Sequence, residues 1–247
     1  MKLLSYNIRY GGAGREDRLV EVIREAAPDL VMLQEATRPE VVERLAQATG
    51  MNIWAAHAGY SLGFLSRVKV SSHKWHWPNV ARRAFLEVVL AENEVRVFGL
   101  HLSAIHSNWT ERRRVRELHA LLESIKQHQQ GFHVLVGDFN TLAPGESLDP
   151  QHLPLRLRTL FWLGGGDIRW QTIQMMLDAG YVDGYRLLHP LEKGFTFPTW
   201  NPQVRLDYLF LPAPFAERLK ACQVFSESRA VGSASDHFPL LADIDLA

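Results

Sequence analysis

The stretch VLVGDFNTL, Val134 to Leu142, drives an apolar, β-branched run straight into an aspartate and an asparagine two residues apart. Apolar runs of the same kind at Lys2–Ile8, Asp29–Leu33, Ala84–Leu90, Val95–Leu102, Phe132–Val136 and Arg205–Leu211 predict strands. Polar residues stand where several of these runs stop: Glu35 after DLVMLQ, His101 near the end of RVFGLH, and Asp138 after HVLVG. Asp207 lies inside VRLDYLFL. Strand ends are fixed positions, and several brought together can hold charged groups at the rim of a core.

Helical spacing lies between the strands. In REDRLVEVIREAAP, Leu19, Val20, Val22, Ile23 and Ala26 share a face and Pro28 stops the helix. Pro39–Thr49 predicts a second helix, started by proline and ended by Gly50. A third begins after Asn108, with Glu111 as a capping box and Val115, Leu118, Leu121, Leu122 and Ile125 as its buried stripe. The loop from Ala143 to Leu155, with Pro144, Pro150 and Pro154, is the largest irregular insertion and predicts the border of a site. No repeat, low-complexity tract or linker divides the 247 residues, so residues 1–247 are expected to form a single domain.

Composition narrows the partners. Lysine plus arginine total 27 and so do aspartate plus glutamate, so any affinity for phosphate is local. The single cysteine, Cys222, excludes an internal disulfide and a thiolate-rich zinc site. Polar residues interrupt the apolar N-terminus MKLLSYNIRYGG, and no apolar run reaches the roughly 20 residues needed to cross a bilayer. The expectation is a soluble, cytoplasmic monomer without an integral membrane segment.

The chemistry-bearing residues, in order, are Asn7, Glu35, His101, Asp138, Asn140, Asp207, Asp236 and His237. The motifs LSYNIRY, LQEA, GLHLS, GDFN, RLDYLF and SDHFPL carry them, and together they resemble the endonuclease/exonuclease/phosphatase superfamily from Asn7 to His237. The resemblance implies a deoxyribonuclease I-like α/β fold, a four-layer sandwich of two packed mixed β-sheets flanked by helices. It also implies divalent-metal-dependent hydrolysis of a phosphate ester.

Carboxylate and amide oxygens without thiolates select a hard cation, Mg²⁺ or Mn²⁺. Glu35 is the leading metal ligand, the resemblance implies that Asn7 lies beside the metal and orients a carboxylate, and Asp236 is placed near it, with Asp138 as the alternative. Asp138 and Asn140 point to one side if the chain stays extended across Phe139, so that Asp138 orients water or protonates the leaving oxygen while Asn140 donates to phosphate. The competing reading of GDFN is an Asx-type turn.

Asp236 and His237 are adjacent and their side chains diverge in extended backbone, so His237 needs its orienting carboxylate from elsewhere. Asp207 fits, because an unpaired carboxylate in an apolar strand is costly; an ion pair with Arg205 is the alternative or companion. The resemblance, here to the deoxyribonuclease I, sphingomyelinase and small phosphodiesterase branches, implies that His101 contacts phosphate or protonates the leaving group. Whether Asp138 or His237 is the base stays open in the sequence.

The substrate is less defined than the chemistry. A nuclease reading draws on Arg82, Arg83, Arg112, Arg113, Arg114 and Arg116 and on Trp75, Trp77, Trp109, Trp162, Trp170 and Trp200. Against it, ERRRVRE also reads as a solvated helix face with i,i+4 pairs. A lipid phosphodiesterase reading has only SSHKWHWPNV, whose alternating tryptophans also suit a half-buried strand. A non-catalytic binding module is the remaining alternative, although such proteins lose site residues and none is missing here.

Overall fold

The computed structural model describes residues 1–104, 108–147, 158–159 and 170–246, with backbone alone at 108 and 109. Trp162, the 148–155 part of the proline-bearing loop, and the side chains of Asn108 and Trp109 lie outside this description.

Among the described residues, two six-stranded sheets face each other. The first runs in the order β11 (Leu219–Val224), β12 (Leu240–Ile244), β1 (Lys2–Asn7), β2 (Leu30–Gln34), β4 (Leu62–Ser66), β3 (Ile53–Ala56). The second runs β5 (Val70–His76), β6 (Phe85–Leu90), β7 (Arg96–His101), β8 (His133–Asp138), β10 (Asp207–Pro212), β9 (Tyr181–Asp183). Each sheet is mixed: β1 pairs parallel to β2 and β7 parallel to β8, with antiparallel neighbours on either side.

Parallel neighbours need a crossover, and helices supply it. α1 (Glu16–Ala26) joins β1 to β2, and α3 (Asn108–Ser124) joins β7 to β8. α1 buries Leu19, Val20, Val22, Ile23 and Ala26 and ends on Ala27, whose left-handed backbone returns its N–H to Ile23 O just before Pro28. α2 (Pro39–Thr49) starts on a proline that has no intrahelical N–H to lose and stops at left-handed Gly50. With α5 (Val231–Ala234), these helices cover the outer face of the first sheet. α3 and α4 (Gln171–Asp178) cover the second. Between the sheets, Leu3, Leu30, Met32 and Phe64 meet Leu86, Val97, Val134 and Val136. The result is the four-layer sandwich expected from the sequence. No helix among the described residues is long and apolar enough to cross a membrane.

Several local expectations need correction. Glu111, expected in a capping box, is buried, and the side chain of its partner Asn108 lies outside the described residues. The Glu111 carboxylate turns inward to Arg114, Thr141 and Thr172, from whose buried donors it accepts. ERRRVRE is therefore not simply a solvated face: Arg112, Arg113 and Arg116 are exposed, but Glu111, Arg114 and Glu117 are buried. Arg205 is fully buried and pairs with Glu146 at 2.7 Å and Asp183 at 2.6 Å rather than with Asp207. Trp75 is half-buried and donates to Leu62 O, as an edge-strand residue would, whereas Trp77 is exposed.

Candidate active site

The parallel pairs deliver their polar ends to one rim. β1 ends on Asn7 and β2 runs into Glu35, while β7 ends on His101 and β8 on Asp138. β10, antiparallel to β8, begins at Asp207 directly opposite Asp138. His237 enters just ahead of β12.

Asn7 links the two sheets. Its amide donates to Asp138 Oδ2 at 3.1 Å and to Glu35 Oε1 at 3.4 Å, and its own oxygen accepts the Arg9 N–H at 3.0 Å. Glu35 is half-buried and its other oxygen accepts the Tyr10 N–H at 2.6 Å. Arg9, Tyr10 and Glu35 all have positive φ, an uncommon state outside glycine that turns the Tyr10 amide toward the carboxylate.

Asp138 is almost fully buried. Its Oδ1 accepts the Asn140 N–H at 2.8 Å, and Asn140, at φ 52°, donates its side-chain amide to Leu102 O at 3.1 Å. The chain thus does not stay extended across Phe139. The Asx-type turn forms, and through it Asp138 is held rather than replaced as a site group. The glycine of GDFN is what lets β8 reach this position: Gly137 has φ 148°, and a Cβ there would sit 2.0 Å from Leu100 O.

His237 Nδ1 is 2.9 Å from Asp207 Oδ2, and its ring lies 4.8 Å from that of Phe197. The far nitrogen, Nε2, is 3.9 Å from Asp138 Oδ2, and His101 Nε2 is 3.7 Å from the same oxygen. His101 is oriented from behind by Ser61 Oγ, 2.6 Å from its Nδ1. Asp236 and His237 do diverge, with Asp236 meeting Arg9 Nε at 3.2 Å. The rim therefore brings Asn7, Glu35, His101, Asp138, Asn140, Asp207 and His237 together, while Asp236 faces the arginine beside them.

Burial lowers the basicity of His237, but the Asp207 carboxylate and its hydrogen bond, with Asp138 and Asp236, outweigh it and raise the pKa to about 9. Among the described residues, His101 has no carboxylate within hydrogen-bonding distance, the nearest being Asp138 Oδ2 at 3.7 Å. Burial, then Arg83 and His237, push it well below the usual histidine value, so it is neutral at pH 7. Burial pushes the Asp138 carboxyl up, against the pull of His237 and helped by Asp207. The site thus holds a cationic and a neutral imidazole on either side of one carboxylate.

Ligand atoms of Asp138, Asp207 and His237 lie within 4.8 Å of one another, a buried cluster capable of coordinating a divalent metal. His237 Nδ1 already engages Asp207, so Nε2 is the ring atom left for substrate or cation. Glu35, held by the Asn7 N–H, is a second, more open carboxylate adjoining the cluster through Asp138.

The sequence matches the Endonuclease/Exonuclease/phosphatase family over residues 4–237. The chain belongs to that family. No curated protein matches it. Among solved structures, it is similar to the 3′ phosphatase NExo from Neisseria bound to a product DNA hairpin, at 22% identity, TM-score 0.74 and 99% coverage of both chains. An AP endonuclease from Archaeoglobus fulgidus aligns at 19% identity and TM-score 0.74, with 99% of both chains covered. Humanized D. rerio TDP2 aligns at 17% identity and TM-score 0.66, covering 98% of this chain and 97% of that one. These likenesses show the fold. The family's fold and the buried Asp138–Asp207–His237 cluster together support metal-assisted phosphoester hydrolysis.

Sequence reasoning missed Ser61, the partner of His101. The signal available was its place in GYSLGFLS, a hydroxyl at the head of an apolar strand. It also missed the role of Arg83, whose guanidinium donates to Leu102 O at 2.8 Å beside the site.

Proposed function

We propose that this chain is a Mg²⁺- or Mn²⁺-dependent phosphoesterase that cleaves a phosphodiester or phosphomonoester by attack of water. The observation that carries the reading is the Asn7 amide, which ties the half-buried Glu35 carboxylate to buried Asp138 within hydrogen-bonding reach of both. Donors that are oxygen only, with one carboxylate partly open to solvent, fit a hard cation. Glu35 would hold it, with Asn7 orienting the carboxylate and Asp236 nearby. The chemistry such a cation supplies is charge neutralisation at a phosphoryl oxygen.

The protein groups divide the remaining work. His237, kept protonated by Asp207 at neutral pH, donates through Nε2 to a nonbridging oxygen and cannot in that form accept a proton. Asp138 is therefore the base: its carboxylate takes a proton from the attacking water. A Ser61 hydroxyl donating to Nδ1 of neutral His101 leaves the proton on Nε2, aimed at the phosphate or its leaving oxygen. Asn140 keeps Asp138 oriented.

The test is hydrolysis of bis-p-nitrophenyl phosphate with Mn²⁺, with and without EDTA. Turnover abolished by EDTA and restored by Mn²⁺ supports the reading; no turnover under either condition leaves a binding module. A DNA nuclease is the second reading. It is favoured by the similarity to a 3′ phosphatase seen with DNA and to an AP endonuclease, and by exposed Arg112, Arg113 and Arg116. Plasmid DNA, abasic duplex, sphingomyelin and phosphorylated sugars, compared under Mn²⁺, separate the substrates, and nicking of the plasmid would promote the nuclease.

A further inference from the structure

Behind the loops that carry His101 and Asn140, α3 buries three charged side chains, Glu111, Arg114 and Glu117. A helix that only covers a sheet has no need of them. Glu111 Oε2 accepts from Arg114 at 2.8 Å and from the Thr141 hydroxyl at 3.1 Å, while Oε1 accepts the Thr172 N–H at 2.8 Å and its hydroxyl at 2.9 Å. Arg114 also donates to Ser103 O at 2.9 Å. Glu117 accepts the Ser103 N–H at 3.1 Å, the Ser103 hydroxyl at 2.8 Å and the Arg82 N–H at 3.3 Å.

The three loops caught in this way are those that carry site groups. Thr141 follows Asn140, Ser103 lies two residues beyond His101, and Arg82 precedes Arg83. They meet again at one atom, since Leu102 O accepts both Arg83 at 2.8 Å and Asn140 at 3.1 Å. Buried charge is costly and apolar contact is cheaper, so directional hydrogen bonds of this kind are better explained by placement than by stability.

We infer that Glu111 and Glu117 are positioning residues: by holding Thr141, Ser103 and Arg82 from behind, they set where Asn140, His101 and Arg83 stand around the phosphate. The inference rests on the phosphoesterase reading above. Sub-ångström placement matters for turnover, and displacement by about 1 Å can cost as much as 10²-fold.

Replacing either glutamate would strand buried donors and could unfold the chain, so the test uses their partners. Thr141→Val and Ser103→Ala each remove one hydroxyl from the network on the site side. Thr172→Val removes a hydroxyl from the same Glu111 carboxylate on the α4 side. Thermal midpoints and kinetics on bis-p-nitrophenyl phosphate are measured for all three, and for Thr141→Ser. Expected are about tenfold to hundredfold losses of kcat with little change in KM for Thr141→Val and Ser103→Ala, recovery in Thr141→Ser, and kcat within about twofold of wild type for Thr172→Val.

Equal losses in Thr172→Val and Thr141→Val, tracking their thermal midpoints, would overturn the inference, as would unchanged kcat in the two site-side variants. If the wild type hydrolyses nothing, the phosphoesterase reading fails on its own. The imidazole NMR resonances of His101 then decide placement: movement in Ser103→Ala but not in Thr172→Val upholds it, and no difference between them refutes it.

Discussion

The β1–α1–β2 and β7–α3–β8 units share one plan and end in different chemical groups. In each, a helix joins two parallel strands that end at the same rim. The first unit ends in Asn7 and half-buried Glu35, and the side chains that α1 buries are all aliphatic. The second ends in buried His101 and Asp138 and packs α3 through a mixture of aliphatic and charged groups. What differs is exposure. A carboxylate partly open to water can exchange a cation at low cost, whereas a carboxylate and imidazole shut away from water acquire shifted proton affinities. On the proposed reading, this difference places cation handling on one sheet and proton handling on the other, with the Asn7 amide joining them.

The largest expected effect breaks the second unit at its hinge. Gly137→Ala puts a methyl group against Leu100 O in a backbone state that disfavours side chains, and should destabilise the fold by about 3 kcal/mol or more. Gly14, at φ 75° in the first unit with nothing within 4 Å, supplies the control, since its alanine variant meets only backbone strain, about 1 kcal/mol. Urea midpoints for the two variants check this, and equal losses would show that close strand approach is not what Gly137 permits.

A smaller effect follows from protonation. The His237 pKa is raised in the folded state to about 9 from an unfolded value near 6.5. Its pairing with Asp207, with the neighbouring Asp138 and Asp236, should therefore stabilise fully below about pH 6.5 and be lost as pH rises through about 9, a change on the order of 3 kcal/mol. Asp207→Asn should flatten the stability profile across that window, measured by urea unfolding at a series of pH values. Glu35→Gln, in the first unit, should leave the slope intact.

Smaller still, Ser61→Ala removes the hydroxyl that orients His101. It should lower kcat about tenfold or less, without a change in Mn²⁺ requirement. A shift in metal requirement would mean that the two units are not chemically separate.

Periodicity exposed most of this fold. The runs ending in Glu35, His101 and Asp138 could be read because β-branched apolar stretches buried on both faces stand out against polar ends. β11 and β12 are harder to read, since KACQVF and LLADID mix polar and apolar residues. The site residues were legible as motifs, but their partners were not. Nothing local in ERRRVRE tells Glu111 and Glu117 from surface charge, because what buries them is Ser103, Thr141 and Thr172, remote in sequence. Arg205 shows the same limit: Asp207 was the near neighbour, yet Glu146 and Asp183 claimed the guanidinium.

The division of labour is tested most directly by titrating Mn²⁺ into bis-p-nitrophenyl phosphate hydrolysis by wild type, Glu35→Gln and Asp138→Asn. Glu35→Gln should need at least about tenfold more Mn²⁺ for half-maximal rate and regain much of its turnover at saturation. Asp138→Asn should remain down by about 10²–10⁴-fold at every concentration. Rescue of Asp138→Asn by added Mn²⁺, with Glu35→Gln indifferent to it, would assign the cation to the wrong sheet and contradict the account.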